Sequence, residues 1–361
     1  MGKDIKVLII PLDWGLGHAT RCVPIIHYMH SKGWKITLAG EGKTANLLKH
    51  EFPELKIMPL RGYNISYSKK GIFFIPSILM QVPNIILAII REYRWLRKKM
   101  KSHAWDIIVS DNRYGLFHKE AKTIFISHQV APISGMGSMA DNLLRLISFR
   151  FIQRFNACWV PDTADNQNIS GKLSHPKKIP GNIAYIGPLS RMTAKHIAEE
   201  DVVLLLLSGP EPQRSILENK LIEQAGTIQK RFICIRGLPT DHAILPDTSN
   251  VQFINHLPAV ELAEIIEKSS LVVCRTGYSS VMDLIRLRKK AVMIPTPGQT
   301  EQEYLGKRLS KLGWFSIQDQ QTLDLSHAIK QCIDYQYRVP PFNFEEYRRA
   351  IDQFGIQYFG A

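Results

Sequence analysis

Three polar loops, each directly after an apolar run typical of a β-strand, carry the residues of this sequence that are best suited to chemistry. The first reads LDWGLGHATR (12–21), the second LLLLSGPEPQR (204–214) and the third CRTGYSSVMDL (274–284). In open parallel α/β sheets, ligands bind at the carboxyl ends of the strands, where such loops lie. The sequence therefore predicts that these loops contribute to a functional site.

In the first loop, Gly15 and Gly17 permit a tight turn, and a helix is expected to begin at about His18. The spacing is not GxGxxG, and no acidic residue suits a dinucleotide ribose, so a nicotinamide or flavin fingerprint is absent. An imidazole at a strand end titrates near neutral pH and could act as a general base. Asp111, after a further strand in WDIIVSDNRYG, competes for that role, and a plain glycine turn is the structural alternative.

The second loop begins with Ser208 and Gly209 and ends at Arg214, which opens a helix. A helix start with free backbone N–H groups suits a diphosphate, and serine or arginine donors would add charge-assisted hydrogen bonds. An ordinary strand-to-helix connection explains the same residues.

In the third loop a helix beginning near Tyr278 would carry Ser279, Ser280 and Asp283 in its first turns. Asp283 could accept two hydrogen bonds from a ribose diol, or simply complement the helix dipole. Downstream, IPTPGQTEQEY (294–304) places Gln302 and Glu303 at another helix start, where they suit sugar hydroxyls or plain solvent.

Length and composition indicate the number of domains, the cellular compartment and the kind of partner to expect. A chain of 361 residues predicts two domains, and five cysteines without a CxxC pair argue against a zinc site and a disulfide framework and for a reducing compartment. The net charge of +14 favours anionic partners such as phosphate ligands or lipid headgroups. No nucleic-acid-reading motif accompanies it, so no nucleic-acid partner is expected. The first apolar run is too short for a signal peptide, which favours a cytoplasmic protein.

Strand-like runs alternate with amphipathic helical stretches along the whole chain, which predicts an α/β protein with two doubly wound Rossmann-like domains facing across a cleft. The predicted domains are 1–187, joined by a C-terminal helix within 340–361, and 188–339. The predicted strands are Lys6–Ile10, Lys35–Ala39, Leu55–Met58, Asp106–Ser110, Thr123–Ile126, Ala157–Val160, Val202–Leu207, Phe232–Ile235, Val251–Ile254, Leu271–Cys274 and Ala291–Ile294.

Residues 72–90, IFFIPSILMQVPNIILAII, are uncharged over a length that could span a bilayer. Prolines and polar residues interrupt them, and REYRWLRKKMK follows. We interpret the stretch as a loop and then a helix with an apolar and basic face, suited to the surface of an anionic membrane. Packing of that helix on the first-domain sheet is the alternative.

The second domain resembles the family 28 glycosyltransferases of GT-B fold, especially those that add N-acetylglucosamine in peptidoglycan synthesis. The resemblance covers nearly the whole chain and is best over 253–313, including the pattern G-x-x-S-x-x-[DE] at Gly277, Ser280 and Asp283. GLGHATR is similar to the family's glycine-rich loop and ISHQVAPISG (126–135) to its H-E-Q-N segment.

The resemblance implies a role for further residues in binding a nucleotide-sugar. It implies that Asp283 holds the ribose of a UDP-sugar, that Gln302 and Glu303 read sugar hydroxyls, and that Ser208 and Arg191 contact phosphate. It also implies that backbone groups of Phe253 and Ile254 contact uracil and that His128 and Gln129 line the cleft. Gly209, Thr276 and Ser279 complete the expected donor loops. Glu303 and Asp283 depart from the family's Gln and Glu, so the resemblance does not fix the sugar.

The expected reaction is an inverting transfer of a sugar from a nucleotide-sugar to an acceptor hydroxyl, the acceptor being a glycan or a lipid-linked molecule. His18 is the leading base, followed by Asp111 and His128. No Asp-x-Asp motif is present, so we expect helix N-termini, Ser208, Arg191 and Arg214 to replace a metal ion and no cofactor to be needed. A UDP-sugar 2-epimerase and a non-catalytic nucleotide-sugar-binding subunit are the alternatives. A transferase with a lipid acceptor would lie peripherally on the inner face of the cytoplasmic membrane.

Overall fold

The structure, a computed structural model, describes residues 4–63, 74–239 and 245–360, and for residues 74–80 the backbone alone. These residues form two compact units. The first contains the described residues up to Tyr63, together with Ile78–Ser190 and the tail from Phe342; the second contains Phe74–Ser77 and the described residues of Arg191–Pro341. The units therefore divide between Ser190 and Arg191, three residues after the predicted boundary.

The first unit holds a parallel sheet of seven strands in the order β3-β2-β1-β4-β5-β6-β7. Its strands are β1 (Lys6–Pro11), β2 (Lys35–Gly40), β3 (Lys56–Pro59), β4 (Ile107–Asp111), β5 (Lys122–Ile126), β6 (Ala157–Val160) and β7 (Ile183–Tyr185). Its helices are α1 (Leu16–Ser31), α2 (Gly42–Glu51), α3 (Phe74–His103), α4 (Ser138–Ile152) and, from the C-terminal tail, α10 (Glu346–Phe359).

The second unit holds a parallel sheet of six strands in the order β10-β9-β8-β11-β12-β13. Its strands are β8 (Glu200–Leu206), β9 (Arg231–Ile235), β10 (Val251–Ile254), β11 (Ser269–Arg275), β12 (Ala291–Ile294) and β13 (Ser316–Ile317). Its helices are α5 (Gln213–Ala225), α6 (Ala259–Lys268), α7 (Tyr278–Arg286), α8 (Thr300–Lys311) and α9 (Leu325–Asp334).

Burial on both faces explains why the central strands are nearly continuous apolar runs. Val7 to Ile10 of β1 and Leu271 to Cys274 of β11 are all buried, as expected where helices cover both faces of a parallel sheet. All eleven predicted strands are confirmed: three have the predicted bounds, and the other eight differ by at most two residues at either end. The sequence analysis missed β7 and β13, which are edge strands of three and two residues.

The prediction of a loop before the basic helix is wrong for the residues that the structure describes. Helix α3 begins at Phe74 and runs without a break through Pro83 to His103, while residues 72–73 lie outside the described range. Pro76 falls in the first turn, where a missing N–H leaves no hydrogen bond unmade. Within the described residues, no helix combines the length and the apolarity that crossing a bilayer requires.

Candidate functional site

The direction of the chain across the first sheet reverses between β1 and β4, which are neighbours with Pro11 in register with Asp111. Loops that leave such a reversal point in opposite directions open a crevice in which α/β proteins bind ligands. The loop after β1 leads into α1, whose first turn carries His18. The sheet therefore brings His18 and Asp111, two of the predicted bases, to one place.

A buried arginine that the sequence analysis missed joins all three predicted bases. Arg21, one turn after His18 on α1, donates from Nε to Asp111 Oδ2 at 2.8 Å and from Nη2 to Asp111 Oδ1. Arg21 Nη2 also lies 2.8 Å from Nδ1 of His18, and Arg21 Nη1 donates to Nδ1 of His128 at 2.6 Å. The spacing of three residues from His18 was the signal available in the sequence, since such residues are neighbours on a helix.

The pKa values of Asp111 and His18 are both lowered in this cluster, which gives the two side chains different charges at neutral pH. Burial by itself would raise the pKa of Asp111, but the Arg21 guanidinium, followed by His18, holds it at about 2. Burial lowers the pKa of His18, and the first turn of a helix acts in the same direction. Asp111 is thus a permanent carboxylate, whereas His18 is neutral at physiological pH and can take up a proton.

The contacts of each imidazole bear on which ring nitrogen carries its proton. Because a guanidinium only donates, His128 accepts at Nδ1 and in its neutral form carries its proton on Nε2, which makes it a hydrogen-bond donor. Nδ1 of His18 lies 2.8 Å from Arg21 and 3.3 Å from both Asp111 oxygens. Arg21 only donates and Asp111 only accepts, so the two contacts favour opposite tautomers of His18. The tautomer with Nδ1–H toward Asp111 is the one that leaves the Nε2 lone pair available, as a general base requires.

The other predicted residues of the first unit lie close to this cluster in the chain. Gly15 caps α1 at φ 106°, a left-handed conformation that favours glycine, and Gly17 lies in the first turn. The Gln129 backbone N–H donates to Ser127 Oγ at 3.0 Å, and its side-chain amide lies 3.4 Å from His128 Nε2.

The second sheet reverses between β8 and β11, the strands that precede two of the predicted donor loops. After β8, half-buried Ser208 is followed by Gly209 at φ 107°, and α5 then begins at Gln213. After β11, Gly277 caps α7, which starts at Tyr278 as predicted. On α7, three predicted residues are half-buried: Ser279, Ser280 and Asp283. Because β8 and β11 are adjacent strands, the residues predicted to bind the ribose and those predicted to bind the diphosphate follow neighbouring strands.

Arg275, at the end of β11, is a second residue that the sequence analysis missed. It is 1% exposed and donates to the Gln213 carbonyl at 2.7 Å, with longer contacts of 3.4 and 3.3 Å to the carbonyls of Ile294 and Pro295. Burial lowers its pKa to about 10, so it remains charged at neutral pH. Its charge therefore lies directly beside the first residue of α5. Thr276, the next residue, is fully buried, and its Oγ1 has no hydrogen-bond partner among the described residues.

Arg214, which the sequence analysis expected to contact the diphosphate, is buried. Its side chain is 5% exposed and pairs with Glu211 at 2.6 Å and Glu218 at 3.0 Å. Glu218 pairs in turn with Arg236 at 2.6 Å. Arg214 thus belongs to an internal ion-pair network, and its donors are used to hold the start of α5 in place.

Gln302 and Glu303 lie in the first turn of α8 and both reach back to the preceding loop. Gln302 Oε1 accepts from the Thr296 N–H at 2.9 Å, and Glu303 Oε1 accepts from the Gly298 N–H at 2.7 Å. Gln302 is buried, whereas Glu303 is half-buried. Both side chains therefore shape the loop after β12 in addition to any ligand that they contact.

The predicted uracil contacts lie on β10, the edge strand of the second sheet. The Phe253 N–H donates to Asp247 Oδ1 at 2.8 Å, and the Ile254 carbonyl accepts from the Arg236 N–H at 2.9 Å. These two backbone groups are already paired within the unit. Arg191 is half-buried and is the first residue of the second unit.

A cavity of about 1170 Å³ borders the start of α8 within the second unit. Gln213, Glu303, Lys307, Asp319 and Gln320 are among its lining residues. Glu303 thus connects the predicted sugar-reading turn to this cavity. Among the described residues, no group of three His, Cys, Asp or Glu side chains is arranged to hold a metal ion.

Comparison with known proteins shows which enzymes this chain is similar to. Residues 214–351 match the glycosyltransferase family 28 C-terminal domain. The chain is a glycosyltransferase that is similar over these residues to the family 28 C-terminal domain. A relative from Histophilus somni (strain 129Pt), UDP-N-acetylglucosamine–N-acetylmuramyl-(pentapeptide) pyrophosphoryl-undecaprenol N-acetylglucosamine transferase, is 22% identical over 349 residues, which are 90% of this chain and 87% of the relative.

Solved structures agree on the fold of this glycosyltransferase. The glycosyltransferase of kitacinnamycin matches with a TM-score of 0.67 at 15% identity, over 99% of this chain and 100% of the other. A putative UDP-N-acetylglucosamine 2-epimerase from Listeria monocytogenes matches with a TM-score of 0.62 at 12% identity, over 99% and 97%. At these identities the likeness establishes the GT-B fold, with two parallel-sheet α/β domains, and nothing about substrate.

Proposed function

We propose that this glycosyltransferase moves a hexosyl or N-acetylhexosaminyl group from a UDP-sugar to an acceptor hydroxyl with inversion at the anomeric carbon. The observation that carries the proposal is the His18–Asp111 pair at the reversal point of the first sheet. A neutral imidazole oriented by a buried carboxylate is the arrangement that general-base catalysis needs. The family 28 domain supports the choice of a nucleotide-sugar as the donor.

In the proposed reaction the acceptor hydroxyl attacks the anomeric carbon while its proton passes to Nε2 of His18. The bond from that carbon to the diphosphate breaks, and UDP leaves with the bonding electron pair. Asp111 remains ionised throughout, since its pKa is held at about 2, and it stabilises the imidazolium that forms. His128, as a donor from Nε2, can orient the acceptor or the sugar.

In the second unit we assign the donor to the loops at the reversal point. Asp283 would accept from the two ribose hydroxyls, supported by Gly277, Ser279 and Ser280 beside it on α7. The loop of Ser208 and Gly209 and the first N–H groups of α5 would bind the diphosphate. Gln302 and Glu303 at the start of α8 would read the sugar hydroxyls.

Stabilisation of the departing diphosphate is assigned to fixed positive groups. Arg275 supplies a buried charge beside the start of α5, where water does not screen it, and Arg191 would add a direct contact. Arg214 is left out of this role because its donors are paired with Glu211 and Glu218. We propose that these groups make a metal ion unnecessary, so EDTA should leave the rate unchanged.

We further propose that the acceptor is lipid-linked and that the protein docks peripherally on an anionic membrane. Helix α3 exposes Val82, Ile86, Leu87 and Ile90, of which Leu87 is 57% exposed. The same helix continues with the basic residues Arg91, Arg94, Arg97, Lys98, Lys99 and Lys101. Apolar residues next to cations are the combination that binds a headgroup boundary.

Helix α4 extends this apolar surface. It exposes Met139, Leu143, Leu146 and Ile147, and Met139 is 87% exposed. Both helices connect strands in the same direction across the sheet, so right-handed crossovers put them on one face. Phe117 lies between them, stacked on Tyr93 of α3 and in edge contact with Phe155 just after α4. An apolar surface contributed by two helices supports membrane docking more strongly than α3 alone.

A panel of UDP-, GDP- and dTDP-sugars tests the donor assignment by calorimetric binding to the purified protein. The proposal expects one UDP-sugar to bind best, and lipid-linked and free glycan acceptors are then screened with it. Tightest binding by a GDP- or dTDP-sugar would contradict the UDP assignment.

A UDP-sugar 2-epimerase is the second candidate, since a putative UDP-N-acetylglucosamine 2-epimerase has the same fold. An epimerase converts the UDP-sugar alone and has no acceptor site. Incubating the preferred donor without acceptor separates the two functions: a new UDP-sugar epimer in the NMR spectrum would favour the epimerase, and a product that forms only with acceptor would favour transfer.

A further inference from the structure

A buried carboxylate on α3 lies outside the set of residues used above. Glu92 is 1% exposed and accepts three hydrogen bonds: from Arg113 Nη1 at 2.9 Å, from the Tyr63 hydroxyl at 3.0 Å and from the Gly115 N–H at 3.1 Å. The donors come from the loops after β3 and β4. A buried charge is stable in a protein only when it is paired and fully hydrogen-bonded, as Glu92 is.

Arg113, which pairs with Glu92, also hydrogen-bonds the loop after β1. Its guanidinium is fully buried and donates from Nε to the Pro11 carbonyl at 3.0 Å and from Nη2 to Asp13 Oδ1 at 3.4 Å. Asp13 Oδ1 also accepts from the Tyr63 N–H at 3.2 Å. The loop from Pro11 to Gly15 is the segment that leads directly into α1 and His18.

Two glycines show how closely these segments are packed. A Cβ on Gly62 would lie 1.8 Å from Asp13 Oδ2, and a Cβ on Gly115 would lie 2.3 Å from the Ile89 carbonyl and 2.7 Å from Glu92 Cβ. Apolar contacts reinforce the same junction, because Leu12 of the loop clusters with Tyr63 and with Ala88 of α3. The loop before His18 is therefore bonded and packed against α3 from several directions.

We propose that Glu92 and Arg113 are positioning residues for His18: together they fix the loop after β1 against α3 and so set the height of the imidazole above Asp111. The proposal rests on the proposed role of His18 as the base. A base must be held within about an ångström of its productive position, because small displacements cost orders of magnitude in rate. A loop anchored only by its own backbone would not hold it there.

The test substitutes Glu92→Gln, which keeps the shape of the side chain and removes its charge. Amide hydrogen exchange is measured by mass spectrometry on peptides that cover residues 11–18. Exchange there is expected to rise at least tenfold, while peptides of β2 and β5 stay unchanged. In turnover assays kcat should fall about tenfold or more, with the KM for the donor changed less than about twofold. Glu120→Gln, the same substitution at an exposed position of the same unit, serves as the matched control and should change neither quantity.

A second variant covers the case in which an unpaired Arg113 prevents folding. The double variant Glu92→Gln, Arg113→Gln leaves neither charge isolated, and it should show the same local rise in exchange. Exchange that rises equally in all peptides would indicate a purely structural role, and exchange over 11–18 that matches the wild type would overturn the proposal. Because hydrogen exchange needs no substrate, this result is independent of whether the donor assignment holds. A rise in exchange without a fall in kcat would instead show that the loop is anchored but that His18 is not the base.

Discussion

At the scale of single residues, His18 owes its reactivity to neighbours rather than to its own chemistry. Substitution of His18 by Ala should lower kcat at least ~100-fold, the size expected for losing a positioned base, while UDP affinity stays within about twofold. The measurement is steady-state kinetics beside UDP calorimetry. His30→Ala, on the exposed face of the same helix, is the matched control. Near-wild-type turnover of the His18 variant would remove it from the mechanism.

The pH dependence of kcat/KM tests the same residue in the wild-type protein. Burial lowers the pKa of His18 below its ordinary value of 6.5, and only the neutral imidazole accepts a proton. The rate should therefore rise with pH and reach its half-maximum below pH 6.5. A group whose pKa is raised would give a midpoint above 6.5, and that outcome would contradict the neutral, buried His18 described here.

Asp283 carries the corresponding prediction for the donor. Asp283→Ala should weaken UDP-sugar binding by roughly 1.5–3 kcal/mol, because hydrogen bonds to a charged acceptor are lost. Isothermal titration with UDP measures the change directly. Asp201→Ala, the same substitution at an exposed position in β8, provides the comparison. Unchanged UDP affinity in the Asp283 variant would place the ribose elsewhere.

At the scale of elements, the exposed apolar residues of α3 and α4 lead us to predict binding to anionic membranes. Wild-type protein should sediment with phosphatidylglycerol vesicles at low salt. Leu87→Glu combined with Leu143→Glu should weaken that binding at least ~100-fold, because burying each leucine side chain contributes roughly 1.5–3 kcal/mol. Ile356→Glu, which changes an equally exposed residue on α10, should bind like the wild type. If the Ile356 control lost vesicle binding to the same extent, the added negative charge alone would explain the loss and the apolar surface would not be needed.

The elements also show how far the sequence predicts this structure. Central strands are readable because burial on both faces makes them continuous apolar runs, whereas β7 and β13 are too short to carry a pattern. The predicted loop within 72–90 is wrong because prolines were taken as breaks, although Pro76 falls in a tolerated first turn and Pro83 is accommodated inside α3. The helix predicted to follow that loop is present.

The candidate site could be predicted from the sequence only in part, and the reason differs from that for the helices and strands. Loops after strands can be located from the sequence, but the partner of a side chain cannot. Arg214 looked available and is paired with Glu211 and Glu218, while Arg21 and Arg275 looked ordinary and are buried at the two reversal points. Their roles depend on contacts between residues up to 107 positions apart in the chain, such as Arg21 with His128.

At the scale of the whole molecule, each unit has its own sheet and core, so donor binding should stabilise one unit selectively. Stabilisation by a ligand equals RT ln(1 + [L]/Kd), which is about 2.7 kcal/mol at a hundredfold excess over Kd. UDP should therefore slow the denaturant-induced exposure of buried Cys234, Cys274 and Cys332 in the second unit and leave Cys22 and Cys158 of the first unit unaffected. Thiol labelling read by mass spectrometry distinguishes the five cysteines. Asp283→Ala should abolish the protection and His18→Ala should not. Protection confined to Cys22 and Cys158 would instead assign the nucleotide to the first unit and contradict the donor assignment.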